Sequence, residues 1–308
     1  MKKLLIIITA LLLSLGSYAQ RHEIGLFGGI SYYMGDLTPT HFSLPGYNFG
    51  LQYRYDINRR FAIRLVGHYG QIAGNSKNDS ESKRYKNLSF HSHILDIEGG
   101  IEINFLEYEP GSKNHRFTPY IFAGLSIFSF NPKTYYDGEE YELQPLGTEG
   151  QGLTAYPENK PYKLAALAIP FGIGIKWSVS KRVSLGLEWG LRKTFTDYLD
   201  DVSTRYPDPS ILQSEKGALA ALLSNRQNEQ EYIEAGYDIS IGPNGIPNNK
   251  ADYDFYMQSK GNGGGQRGGE ANDWYGIAGI TVMFKIVGKK AARCPAYKER
   301  GYYKEYHR

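Results

Sequence analysis

The sequence predicts an all-β protein: an eight-stranded antiparallel transmembrane β-barrel with long external loops and a periplasmic C-terminal tail. Three observations predict it. An export signal opens the chain, long segments alternate between apolar and polar residues, and the connections between those segments alternate between short and long.

The export signal comes first. Lys2 and Lys3 precede an uncharged apolar run from Leu4 to Leu15, and Ser17-Tyr18-Ala19 offers small residues where a signal peptidase reads. This predicts a signal peptide over 1–19 with cleavage before Gln20. The run is shorter than the roughly 20 residues of a spanning helix, and no Cys follows it to open a lipoprotein route.

Composition narrows the class. The 308 residues include 26 Tyr and 36 Gly, yet the mean hydropathy is −0.46. A helical membrane protein would be far more apolar, whereas a barrel touches lipid with alternate residues only and marks both interfaces with aromatic rings. Removing Lys2 and Lys3 lowers the net charge from +3 to +1, so no global charge calls for nucleic acid. The charge is nevertheless unevenly placed. The end of the chain carries Lys285, Lys289, Lys290, Arg293, Lys298, Arg300, Lys304 and Arg308 against Glu299 and Glu305, while Asp200 to Asn272 leans acidic. Two surfaces facing different neighbours would produce this asymmetry.

Alternation defines the strands, because successive side chains of a strand point to opposite faces. Tyr47, Phe49, Leu51, Tyr53 and Tyr55 share one face, opposed by Asn48, Gly50, Gln52, Arg54 and Asp56. The same reading holds for Phe61 to Tyr69, Leu95 to Phe105, Ile169 to Trp177 and Val183 to Arg192. Weaker alternation marks Glu23 to Gly35, Phe117 to Phe130 and Trp274 to Ile286, for eight strands in all. The connections Asn58-Arg59-Arg60 and Ser180-Lys181-Arg182 are short, and Glu107 to Arg116 is modest. Those on the other side (36–46, 74–88, 131–162 and 200–272) are long, as in barrels with short periplasmic turns and long external loops. The domain plan is a signal over 1–19, a barrel over 20–286 and a basic periplasmic tail over 287–308. The loop 200–272 carries an expected helix over 209–233. A soluble barrel or sandwich is the competing reading, with the apolar face enclosed and the charged face solvated.

The same register turns Glu23, Asp96, Glu98, Glu102 and Glu188 inward together with Arg54, Arg64, Lys176 and Arg192. Nearly balanced charges suit a narrow lumen filled by paired side chains. A plugged barrel is therefore expected rather than a pore.

Little else suggests chemistry. His91 and His93 lie at i and i+2 with His68 on the neighbouring strand, but a metal needs a third ligand and supporting contacts, and interfacial histidines explain them as well. No glycine run has the phosphate-binding spacing between strand and helix. No nucleophile and base stand out, so no enzyme, cofactor or metal is expected. The stretch 209–233 is either a structural cap or a docking helix. Cys294, the one cysteine, sits in Arg293-Cys294-Pro295-Ala296-Tyr297. An exported chain with one Cys cannot bridge internally, so this thiol is either idle or half of an intermolecular disulfide.

Three runs carry a family resemblance. They are His22-Glu23-Ile24-Gly25-Leu26-Phe27-Gly28-Gly29 with Tyr33-Met34-Gly35-Asp36-Leu37, the segment Glu188 to Ser203, and the Cys294-Pro295 tail. Together they resemble the PorG-like outer-membrane barrels of Bacteroidota, a component of the type IX secretion system. The resemblance implies a non-enzymatic protein that ties a periplasmic ring, made by a lipoprotein and its partner, to the outer membrane. It also implies linkage to that lipoprotein through cysteine, for which Cys294 is the candidate, with Lys289, Lys290, Arg293, Lys298 and Arg300 docking beside it. Where relatives use more than one cysteine, this chain departs from the pattern. Further expected neighbours are outer-membrane lipid and the translocon through the external loops. The competing functions are a surface barrel whose loops act in adhesion or partner binding, and a narrow channel or barrel enzyme.

Overall fold

The computed structural model describes residues 21–78, 86–227, 229–242, 246–254, 265–269 and 271–286. The expected signal peptide and the tail with Cys294, Lys289, Lys290, Arg293, Lys298 and Arg300 lie outside the described residues.

Eight long strands form the wall: β1 (His22–Met34), β2 (Gly46–Asp56), β3 (Phe61–Asn75), β4 (Ser89–Asn104), β5 (Phe117–Ser129), β8 (Ala165–Ser178), β9 (Val183–Thr194) and β10 (Trp274–Lys285). Each pairs antiparallel with its neighbour, β5 joins β8, and β10 returns to β1 from Glu23↔Lys285 to Met34↔Trp274. The ring is closed. Closure removes sheet edges and satisfies the wall's backbone groups internally, the condition for crossing hydrocarbon.

The side chains sort the opposite way from a soluble barrel. Leu51, Leu125 and Leu187 are 64%, 70% and 55% exposed, whereas Arg54, Arg64 and Glu102 are at most 1% exposed. An apolar band this continuous has no place in water, so the soluble alternative falls and the outer wall is a lipid-facing surface. No described helix is long and apolar enough to cross a membrane; the strands make the crossing.

Short turns close one end. Asn58 Oδ1 accepts from the backbone N–H groups of Arg60 (2.7 Å) and Phe61 (2.9 Å), and Ser180 Oγ accepts from those of Arg182 and Val183. These side chains stand in for missing ladder partners and fix the turns. The other end departs from the sequence reading in two ways. Residues 131–162 include a hairpin of β6 (Lys133–Tyr136) and β7 (Glu139–Glu142) that extends from β4 by the pair His91↔Lys133. The single helix expected over 209–233 is instead three short ones, α1 (Pro209–Lys216), α2 (Ala218–Ser224) and α3 (Glu229–Glu234). Gly217, at φ +95°, breaks the first from the second.

Candidate functional site: a barrel sealed at two levels

All nine inward charges named from the sequence lie inside the barrel, each at most 4% exposed, and they pair across it. Arg54 bridges Glu23 (3.0 Å) and Glu102 (3.1 Å), and Lys176 pairs with Glu102. Arg64 reaches Glu98 at 3.0 Å and Glu188 at 2.7 Å. Arg192 reaches Glu98 at 3.0 Å and Asp96 at 3.6 Å. In the ring, β3 and β9 stand four strands apart in either direction, so Arg64–Glu188 spans the diameter. Tyr120 donates to Glu188 at 2.8 Å, and the Arg64 guanidinium lies 3.9 Å from the centre of the Phe122 ring. Glycines make room for these rings. A Cβ on Gly174 would meet Tyr120 Cζ at 2.4 Å, and one on Gly190 would meet Phe122 Cζ at 2.6 Å. Below, Tyr108 from the β4–β5 turn donates to Ser184 Oγ at 2.7 Å and covers the short-turn end.

A second seal sits in the long-loop half and is apolar. Tyr33, Ile72, Phe90, Phe128, Phe130 and Tyr275 form a cluster that also takes in Leu199, Val202 and Leu223 from the largest loop. That loop is folded into the mouth. Tyr33 Oη lies 2.6 Å from Asp200 Oδ2 and 2.8 Å from Asp273 Oδ1. The remaining oxygens accept from the backbone N–H groups of Val202 and Leu199, both at 2.9 Å. One phenol has one proton, so two such contacts require a second proton, held on a carboxyl. Burial lifts both carboxyls well above the usual range, and Asp200 adds its charge to the environment of Asp273.

Around the mouth, Glu149 accepts from the backbone of Ser203 (2.8 Å) and Thr204 (2.9 Å) and pairs with Arg267 at 3.2 Å. Thr148 and Tyr162 both donate to Asp201, whose carboxyl burial raises to about 6 against the pull of Arg267. Asp197 rises to about 7 through burial, helped by Asp36 and Glu149. Sequence reasoning missed this mouth. Its signal was present in parts of two of the three runs that carried the resemblance, Tyr33 to Leu37 in the first and Asp197 to Ser203 in the second, which the fold brings together.

The histidines do not converge. His68 faces inward and is 1% exposed, with Asn48 at 2.9 Å. His91 bonds Glu140 at 2.8 Å and His93 stacks on Tyr69, both on the outer side. Among the described residues no group of three His, Cys, Asp or Glu could hold a metal.

The family described as "Domain of unknown function (DUF6089)" matches residues 2–216. The chain belongs to the DUF6089 family. The matched region holds seven of the eight wall strands and the Asp197 to Ser203 run; β10, with the Asp273 that precedes it, lies beyond. No curated protein matches the chain. Among solved structures, this DUF6089 chain is similar to Neisserial surface protein A at 10% identity, over 86% of this chain and 96% of that one, with a TM-score of 0.38. It is similar to the N-terminal β-barrel domain of Pseudomonas aeruginosa OprF at 12% identity, over 86% and 96%, with a TM-score of 0.31. It is also similar to the Yersinia pestis attachment invasion locus protein Ail at 10% identity, over 57% and 87%, with a TM-score of 0.31.

Proposed function

We propose that this protein is a non-enzymatic outer-membrane component of the type IX secretion machinery, anchoring the periplasmic ring complex to the outer membrane. The observation that carries the reading is the filled lumen. Charges pair across its width at one level and an apolar cluster closes it at another, so the barrel is a fixture rather than a conduit. In this reading the work is done where the barrel meets its neighbours. The basic segment 287–308, with Cys294, is the part that takes hold of the ring lipoprotein and its partner in the periplasm. Deleting Val287 to Arg308 should leave the barrel inserted but release the ring from outer-membrane fractions; a ring that stays with the membrane contradicts the reading. Cys294→Ala separates covalent from charge-based attachment: non-reducing electrophoresis should lose one high-mass band, and an unchanged band pattern excludes the disulfide.

A second reading, partner binding by the external loops, is favoured by a cleft of about 650 Å³ lined by Tyr156, Glu158, Asp197, Arg205, Tyr206 and Gln266. Loop deletion that abolishes surface adhesion while secretion continues would favour it over ring anchoring.

A further inference from the structure

On the lipid side of the wall, an apolar groove of about 490 Å³ crosses β5, β8, β9 and β10. Register explains its shape. Pro119, Ile175 and Leu187 lie on one cross-strand row, and Ile173, Trp189 and Ala278 lie on the next, two residues along each strand. Between the rows run Tyr120, Gly174 and Glu188; the two side chains are buried in the lumen, so toward lipid this row shows backbone. Such lanes recur around any barrel wall, but aromatic rings stop this one at both ends. At the foot stands Phe105, whose backbone N–H donates to Pro119 O at 3.0 Å. At the head, the β1–β2 loop folds down over the outside of the wall and brings in Phe42. Tyr32 faces outward by register yet is fully buried, because His41 and Phe42 lie against it, the Phe42 ring at 4.5 Å between centres. Trp189 Nε1 donates to Tyr32 Oη at 2.8 Å, and His41 Nδ1 lies 3.3 Å from the same oxygen. Phe42 and Leu44 hold φ of +59° and +48°, a left-handed backbone that such residues seldom adopt and that persists only where the surroundings enforce it.

The dimensions select the occupant. Rows two residues apart on a strand are about 7 Å apart, too close to admit a helix about 10 Å across. A second barrel is convex and would come to rest on Phe42 and Phe105, each about half exposed, short of the floor. A single hydrocarbon chain fits. Three strand spacings of about 4.8 Å separate β5 from β10, so the lane runs for about 14 Å. That is close to half of the roughly 30 Å hydrocarbon core, the share that one acyl chain fills. We propose that the lane is a lipid site: one acyl chain of a phospholipid of the surrounding bilayer lies in it between Phe42 and Phe105, and stays on the protein while neighbouring lipids exchange. The site rests on the lipid-facing wall alone and stands whether or not a periplasmic ring is the partner.

The test uses full-length protein folded in phosphatidylcholine vesicles that contain a trace of phosphatidylcholine with a diazirine midway along one chain. After illumination, peptide mass spectrometry should find several-fold more lipid adducts on Ile173, Ile175, Leu187 and Ala278 than on Leu51, Leu65 and Ile97, which face lipid elsewhere on the wall. Ala278→Phe fills the lane from its lipid side and should abolish the excess with folded mobility on unheated gels unchanged. Phe42→Ala opens the head of the lane without touching a strand and should cut the excess several-fold; it decides alone if Ala278→Phe loses folded mobility. Even labelling around the wall, or an excess that survives in the folded variants, would mean ordinary exchanging lipid and would overturn the proposal. An excess that falls as the vesicles are crowded with protein would give the lane to a second copy of the chain and overturn it equally.

Discussion

The proton shared among Tyr33, Asp200 and Asp273 makes the external cap sensitive to pH. Both carboxyls are raised above the ordinary Asp value of 3.8, so the closed cap binds a proton that the open one releases. A group with a raised folded value gives its full stabilisation below the ordinary value and loses it as pH climbs toward the folded value. The groups facing this trio are Asp36, Asp197 and Arg267; two of them are acids and favour the protonated state. Closure of the cap should therefore weaken as pH rises from about 4, by about 1.4 kcal/mol per pH unit for one proton. The check is hydrogen exchange at the Leu199 and Val202 amides, corrected for intrinsic rates. Asp273→Asn, whose amide can donate to Tyr33, should flatten the dependence; a slope equal to that of the parent would remove the shared proton from the account. A simpler loss awaits the polar layer. Arg64→Met leaves Glu98 and Glu188 buried without their shared cation, and should cost about 3–5 kcal/mol, as breaking a buried pair does. Urea titration in vesicles measures it.

Strands were legible in the sequence because lipid imposes the same alternation on every one of them, and a slip of one residue would turn Arg64 into hydrocarbon. That is why the inward charges could be named from register alone. The mouth was not legible for the converse reason. Asp200 and Asp273 lie 167 and 240 residues from Tyr33, and loops carry no period that brings such positions together. The helix over 209–233 was over-read because its apolar residues are mixed in spacing and Gly217 divides them. Glycines in β8 and β9 leave room for inward rings, Gly174 for Tyr120 and Gly190 for Phe122. Gly174→Leu would drive its side chain into Tyr120, whose hydroxyl holds Glu188. Overpacking of this kind costs about 1–3 kcal/mol, and the displaced Glu188 contact adds to it. The folded, faster-migrating band on unheated gels should weaken in Gly174→Leu but persist in Gly67→Leu, whose added Cβ meets no atom within 4 Å.

For the whole molecule, the two seals make a prediction that neither makes alone. An eight-stranded barrel has an interior about wide enough for side chains to fill, and here it is filled twice, by Arg64–Glu188 across the middle and by the Tyr33–Phe128–Tyr275 cluster at the mouth. Seals in series act as a logical pair: current flows only when both are open. Planar bilayers holding the full protein should therefore show no steps. Shortening the loop across 200–272 removes Val202 and Leu223 from the cap and leaves the ion pairs in place, so the barrel should stay silent. Replacing Arg64, Tyr120 and Glu188 by Ala empties the middle and leaves the cap, and it too should stay silent. Only the combination should conduct, with small, cation-preferring steps, because Glu23, Asp96, Glu98 and Glu102 then outnumber Arg54, Lys176 and Arg192 along the path. Steps from the loop deletion alone would mean that the ion-pair layer leaks and that the cap is the gate. The fixed-anchor reading would then give way to that of a gated channel.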